Sequence, residues 1–206
     1  MATRHSDTGP ADTQSRARFV QAALSVLVDQ GVAGLTVRGL AGAAGTSTLG
    51  VYARFGGRTG VLDAMYERTF QVLHGELVRL PPASGHIVRD VLAFGDAYRA
   101  FALESPARYA FMFERAVPGY DPDPELRELA RRTTYDLLTE RVAPAGGRSA
   151  ETAAYLVWST MHGLVSVELT HRARNPPPGW FLSPEDPSYD RVFHDGVAAI
   201  LAGLNA

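Results

Sequence analysis

Apolar residues recur at helical spacing along almost the whole chain, and breaks rich in Gly or Pro separate these stretches. The first stretch has apolar residues at i, i+3, i+4 and i+7, namely Val20, Ala23, Leu24 and Leu27. No stretch longer than a few residues alternates between apolar and polar as a half-buried strand does. The pattern therefore predicts an all-α fold with about nine helices.

Capping residues and breaks give the expected ends of these helices. The predicted helices cover residues 14–30, 37–44, 48–55, 58–78, 86–104, 106–115, 124–142, 149–173 and 188–203. Thr36 and Ser47 are expected to cap the second and third helices, because a hydroxyl oxygen can accept from the free N–H groups of a first turn. Residues 1–13 are polar and lack periodicity, so we expect a disordered arm. Leu80–Gly85 contains two prolines and is expected to be a linker.

Composition excludes several classes of protein. The chain has no Cys, so a disulfide framework, a thiolate nucleophile and a Cys-bound zinc are impossible. Its first residues lack the apolar stretch of a signal peptide. The longest charge-free stretch in the C-terminal half, residues 152–167, is shorter than the roughly 20 residues that a membrane helix needs. We therefore expect a cytoplasmic location and no membrane partner.

Charge is unevenly distributed along the chain, although the formal net charge is only −2. Residues 13–60 carry five Arg and one acid, a net charge of +4, whereas residues 81–206 carry 12 Arg and 16 acids, a net charge of −4. A basic module on an acidic helical body is the pattern expected of a protein that binds a polyanion at one end.

Two short predicted helices, joined at Ala44–Ser47, fit a helix-turn-helix, which needs a tight turn that often contains Gly. The second helix would enter the major groove, with Thr48, Tyr52 and Arg54 pointing outward. Tyr52 offers a hydroxyl to a phosphate, and Arg54 can pair with a phosphate or a guanine edge. Arg58 opens the next helix, where a cation opposes the helix dipole unless an anion such as phosphate lies there.

Five short motifs follow one another through this region in a fixed order. They are a helix-ending glycine, Thr-x-x-x-Leu-Ala, Ala-Gly-Thr-Ser, Tyr-x-x-Phe and a basic residue that opens a helix, at Gly31, Thr36–Ala41, Ala44–Ser47, Tyr52–Phe55 and Arg58. With this combination, the run from Phe19 to Leu62 resembles the DNA-binding region of the TetR family of bacterial repressors. The resemblance implies a double-stranded DNA operator as partner. The implied DNA-binding residues are Thr36, Arg38, Ser47, Thr48, Leu49, Gly50, Tyr52, Arg54 and Arg58.

The chain departs from the family's pattern at several positions. Thr46 stands where the family usually has a hydrophobic residue, and Arg54 and Arg58 stand where it usually has His and Lys. Gly39 and Gly42 replace helix formers, and each is expected to cost about 0.5–1 kcal/mol relative to Ala.

The resemblance also implies a C-terminal helical domain that forms a homodimer and holds a small-molecule effector. Trp158-Ser-Thr-Met-His162-Gly163 and Pro106-x-x-Tyr109-x-x-Met112-Phe113 are similar to one subgroup's C-terminal domain. Aromatic and sulfur side chains share faces of three helices here and would line an apolar pocket if those faces converge. The expected pocket residues are Phe94, Tyr98, Phe101, Tyr109, Met112, Phe113, Trp158, Met161 and His162. The alternative is that these aromatic stripes are ordinary core.

The last two predicted helices carry apolar residues over wide arcs, from His162 to Leu169 and from Val192 to Leu204. Two such helices from each subunit would form a four-helix dimer interface, and packing of the same faces within one chain is the alternative. The expected organisation is an arm at 1–13, a DNA-binding domain at 14–60, a connecting helix at 61–80 and an effector and dimerisation domain at 81–206.

No catalytic residue, cofactor or metal is expected. The six His form no His-x-x-x-His or His-Glu-x-x-His pair. Glu168-x-x-His171 matches half of a di-iron carboxylate motif, and a lone copy predicts a solvated or capping pair. Two other classes stay open at this point. An all-α enzyme or ligand carrier would lack DNA affinity, and a protein–protein adaptor would expose a large apolar patch on the N-terminal module.

Overall fold

We describe the chain from a computed structural model, which covers residues 10–143, 149–173 and 188–204. In these ranges the chain forms nine α-helices and one 3-10 turn, and no strand. The α-helices are α1 Pro10–Gln30, α2 Val37–Ala43, α3 Thr48–Phe55, α4 Arg58–Leu77, α5 Ile87–Glu104, α6 Pro106–Phe113, α7 Pro124–Val142, α8 Ala150–Ala173 and α9 Ser188–Leu204, and the 3-10 turn is Val32–Gly34. The all-α prediction is confirmed.

α1 begins at Pro10 rather than at Gln14, so the predicted arm is wrong for residues 10–13. Proline is favoured at the first position of a helix, because the N–H groups of that turn have no acceptor within the helix. Residues 1–9 lie outside the described part of the chain, and the arm stays a prediction there.

Hydroxyl caps begin both short helices, as predicted. Thr36 Oγ1 accepts from the Gly39 N–H at 3.0 Å, and Ser47 Oγ accepts from the Gly50 N–H at 3.1 Å. Gly56 ends α3 with φ +70°, a left-handed conformation that favours glycine. The starts of α2 and α3 are therefore fixed by single side chains.

The two glycines of α2 turn out to differ in their surroundings. A Cβ at residue 39 would lie 2.4 Å from the carbonyl oxygen of Gly34, so glycine is what allows the preceding 3-10 turn to approach the helix. A Cβ at residue 42 would meet no atom within 4 Å. Only Gly42 therefore fits the expectation of a glycine that merely weakens the helix.

The described residues form two compact units. The first takes the described residues within 10–69 and 107–127, and the second those within 70–106 and 128–204, so that one boundary falls inside α4. In the first unit, α1, α2 and α3 enclose buried side chains that include Phe19, Val20, Leu27, Leu35, Leu40, Val51 and Phe55. In the second, α5, α8 and α9 pack on one another around Val91, Tyr98, Val157, Met161, Val165, Phe193 and Val197.

Over the described ranges, no helix combines the length and the apolar character that crossing a membrane requires.

Candidate nucleic-acid interface and aromatic cluster

α3 has one buried and one exposed face. Val51 and Phe55 are buried in the first unit. The opposite side presents exposed residues, including Thr48, Leu49, Tyr52 and Arg54. Leu49 is 76% exposed and Tyr52 is 55% exposed. The structure thus places the predicted base-reading side chains in solvent, where a DNA groove could reach them.

Most of the other predicted DNA contacts are also accessible. Thr36, Arg38 and Ser47 are exposed, whereas Gly50 and Arg58 are partly buried. The guanidinium groups of Arg38 and Arg54 make no hydrogen bond or ion pair with any described residue. Arg54 on α3 and Arg38 on α2 are thus exposed positive charges without a counter-ion among the described residues, so both are available to bind phosphate.

Arg58 has an intramolecular role that the sequence did not reveal. Its Nε donates to the carbonyl oxygen of Leu35 at 2.5 Å, which ties the start of α4 to the residue before the Thr36 cap. A nearby anion is therefore not needed to explain a cation in the first turn of α4. A DNA contact by Arg58 stays a prediction.

α1 holds the C-terminal end of α3 through Arg16, which sequence analysis missed. Its Nη1 donates to the carbonyl oxygen of Arg54 at 3.1 Å, and its guanidinium lies 4.5 Å from the centre of the Phe55 ring. The Phe19 and Phe55 rings lie 4.7 Å apart between centroids. The available signal was the i, i+3 spacing of Arg16 and Phe19, which puts both on the face that meets α3.

In the second unit, three of the predicted effector residues form a connected cluster. Tyr98 Oη and His162 Nδ1 are 3.1 Å apart, within hydrogen-bond distance. The His162 ring stacks on the Trp158 ring with centroids 5.0 Å apart. Tyr98 is buried, whereas Trp158 and His162 are partly exposed. The cluster therefore offers an aromatic surface with polar groups beside it.

The nine predicted effector residues divide between the two units. Phe94, Tyr98, Phe101, Trp158, Met161 and His162 lie in the second unit, and Tyr109, Met112 and Phe113 lie in the first. Within the first unit, the Tyr109 and Phe113 rings are 5.1 Å apart between centroids. The pocket as a whole stays a prediction.

The second unit also has a surface depression of about 770 Å³ that none of the predicted effector residues lines. Its lining residues are Gly85, His86, Ile87, Val88, Arg89, Leu92, Ala93, Asp96 and His194. His194 Nε2 lies 2.7 Å from Asp96 Oδ1 at its edge.

The sequence predicts a solvated or capping pair for Glu168 and His171, and the solvated alternative is wrong. Glu168 is 2% exposed and accepts from Arg99 Nε at 2.6 Å, Arg99 Nη2 at 2.8 Å and Arg172 Nε at 2.8 Å. His171 is also buried, with its Nδ1 2.6 Å from Tyr189 Oη. The error arose because these partners lie on other helices: Arg99, which binds Glu168, is on α5, and Tyr189, which contacts His171, is on α9.

The expected dimer helices pack on each other within the chain and leave a second face open. A Cβ at Gly196 of α9 would lie 2.7 Å from Leu164 Cδ1 of α8, so this glycine serves intramolecular packing. A Cβ at Gly163 or Gly203 would meet nothing within 4 Å. The exposed positions of α8 around Gly163 are uncharged, namely Tyr155, Val167 and Thr170.

Two family models match the chain. Residues 19–65 match the bacterial regulatory proteins of the tetR family, and residues 91–195 match the tetracyclin repressor-like C-terminal domain. The second match covers more than half of the chain.

Individual proteins show the same similarity. An uncharacterized HTH-type transcriptional regulator of Mycobacterium tuberculosis is 29% identical over 92% of this chain and 81% of its own length. The structure of a protein of unknown function from Rhodococcus sp. RHA1 superimposes with a TM-score of 0.72 at 26% identity, over 99% of this chain and 100% of the other. A TetR variant from Acinetobacter baumannii in complex with minocycline has the same fold, with a TM-score of 0.62 at 20% identity over 90% of this chain and 93% of the other.

Proposed function

The chain belongs to the TetR family of bacterial regulatory proteins, and from this premise we propose that it is a repressor that binds a palindromic operator as a homodimer and is released by a small, largely apolar effector. Family membership makes the chain a transcriptional regulator rather than an enzyme. The observation that carries the proposal is the exposed face of α3 with Arg54, in the segment 13–60 that has a net charge of +4 and in which Arg38 is also exposed. An adaptor would present a broad apolar patch at this place instead of arginines and a tyrosine.

The open face of α8 supports the homodimer. Tyr155, Gly163 and Val167 lie on it, and an uncharged exposed face of this kind is what a subunit interface buries. With α9, two helices from each subunit would build a four-helix interface. The dimer would then present two copies of α3, about 34–36 Å apart, to successive major grooves.

The cluster of Tyr98, Trp158 and His162 supports the effector site, because it combines aromatic surface with groups that can donate or accept a hydrogen bond. By linkage, an effector that releases DNA must bind more tightly to the conformer in which the two α3 helices are wrongly spaced. We propose that this coupling runs through α4, which begins in the first unit and ends in the second.

Arg38→Ala and Arg54→Ala are each expected to weaken operator binding by the dimer about a hundredfold, about tenfold for each subunit, because each removes one charge-assisted bond to a phosphate per subunit. Each variant should also reduce the slope of log affinity against log salt by about 1.8, which is about 0.9 for each subunit. The measurement is fluorescence anisotropy of the full chain with duplexes that flank its own gene, titrated with salt and with unrelated competitor DNA. Saturation at two chains per palindromic duplex is the stoichiometry expected of a dimer.

Arg191→Ala is the matched control, since it removes an exposed helical arginine from the second unit. It should leave both the affinity and the salt slope unchanged. Binding that is equally weak for every duplex would contradict the proposal, and so would binding that is unchanged in both Arg38→Ala and Arg54→Ala.

Emission from Trp158 is expected to report effector binding, because its ring stacks on His162 inside the proposed site. The chain has two Trp, so Trp180→Phe leaves Trp158 as the one reporter. Apolar compounds that release operator DNA should change this emission over the same concentration range. Tyr98→Phe or His162→Ala should weaken both effects about tenfold, as expected for the loss of one buried hydrogen bond.

A compound that releases DNA without changing the emission, and with equal potency on the His162→Ala variant, would place the effector site elsewhere.

A further inference from the structure

We infer that the operator is recognised through thymine methyl groups, and that Leu49 is the specificity-determining residue that contacts them. The inference deepens the proposed function and rests on it, since it concerns which bases the exposed face of α3 selects.

The chemistry of that face limits what it can recognise. Its exposed positions 48, 49, 52, 53 and 54 carry Thr, Leu, Tyr, Ala and Arg. None is an Asn or Gln, which pair with adenine through two hydrogen bonds, and Arg54, which could pair so with guanine, lies in the last turn of the helix rather than the first. The face therefore offers hydroxyl groups, which can hydrogen-bond to several different bases. It also offers apolar groups, which distinguish one base from another through shape and contact with a methyl group.

Leu49 dominates the apolar part of this face. It lies in the first turn of α3, which is the part of a recognition helix that meets base edges. At 76% it is the most exposed of the large apolar side chains in the described part of the chain. Among the groups that base pairs present in the major groove, the thymine C5-methyl is the apolar one. Contact between the two removes apolar surface of both partners from water.

Leu49 is the one large exposed apolar side chain in the first turn of α3. The Ser47 oxygen already accepts from the Gly50 N–H as a cap, and Gly50 has no side chain to cover the leucine. Arg54 lies at the other end of the helix, where Arg16 holds its carbonyl oxygen. In this proposal the Arg54 guanidinium contacts a phosphate and the first turn contacts the bases.

The test starts from a duplex library with a randomised core, from which the full chain selects its preferred site. That site is then synthesised with deoxyuridine in place of one symmetric pair of thymines at a time, which removes only their methyl groups. Substitution at a symmetric pair of thymines, one in each half-site, should weaken binding about fourfold per methyl, as expected for one buried apolar carbon. Deoxyuridine outside the half-sites should have no effect.

Leu49→Ala should bind the thymine site more weakly and lose most of the difference between thymine and deoxyuridine. Leu129→Ala is the control, because it truncates an exposed leucine of the second unit and should keep the full difference. Selection of a site whose affinity is unchanged by every deoxyuridine, or an undiminished difference in Leu49→Ala, would overturn the inference while leaving the proposed function intact. Failure to enrich any sequence would overturn both.

Discussion

Glu168→Ala is expected to lower the free energy of unfolding by about 3 kcal/mol, because it leaves the mostly buried Arg99 with only the exposed Asp190 as a partner. The carboxylate is 2% exposed and holds Arg99 through two hydrogen bonds, at 2.6 and 2.8 Å, and Arg172 through a third. These bonds to Glu168 are the largest cause that raises the pKa of the Arg99 guanidinium. Since arginine stays protonated in proteins, the variant cannot relieve the problem by losing a proton.

Asp190→Ala supplies the matched comparison, because Asp190 also bonds to Arg99, at 2.6 Å, but its side chain is 70% exposed. An exposed ion pair contributes at most about 1 kcal/mol, so this variant should be close to wild type. Thermal unfolding should show a midpoint about 10 °C lower for Glu168→Ala. Equal midpoints for the two variants would contradict the account of Glu168 as the buried centre of the cluster.

The same cluster shows what the sequence could not reveal. Helical periodicity and capping residues predicted all nine described helices, with most ends within two residues, because both signals are local. One partner of Glu168, Arg172, is local at i+4, but the other is not: Arg99 lies on α5, and the Asp190 that also bonds to Arg99 lies on α9. No spacing rule on α8 could distinguish a solvated glutamate from one that also binds an arginine of another helix.

The candidate DNA site shows the same division. Thr36 and Ser47 were predictable as caps, and the outward direction of Tyr52 followed from the apolar pair on the opposite face of α3. The bond from Arg58 to the Leu35 carbonyl was not predictable, because every residue has a main-chain carbonyl and the sequence does not tell which one accepts. The sequence predicted only that Gly39 destabilises α2. The structure shows that the Gly34 carbonyl oxygen lies against residue 39, where a Cβ would not fit.

Gly60→Ala is expected to disrupt the DNA-binding unit, because the glycine permits a main-chain approach that no other residue allows. A Cβ at residue 60 would lie 1.8 Å from the carbonyl oxygen of Phe55 and 2.9 Å from its carbon. Both atoms belong to the last residue of α3, so the helix itself would have to shift relative to the first turn of α4. Overpacking of a core typically costs about 1–3 kcal/mol, and a main-chain clash has no rotamer that relieves it.

Gly75→Ala is the matched control on the same helix, since a Cβ there would meet nothing within 4 Å. Because alanine is the better helix former, this variant should be more stable than wild type by about 0.5–1 kcal/mol. Gly60→Ala should instead melt at a lower temperature and lose most of its operator affinity even where it is folded, because α3 is displaced. Wild-type melting and wild-type operator affinity in Gly60→Ala would show that α3 can shift at no cost, and the close approach would then have no part in positioning the recognition helix.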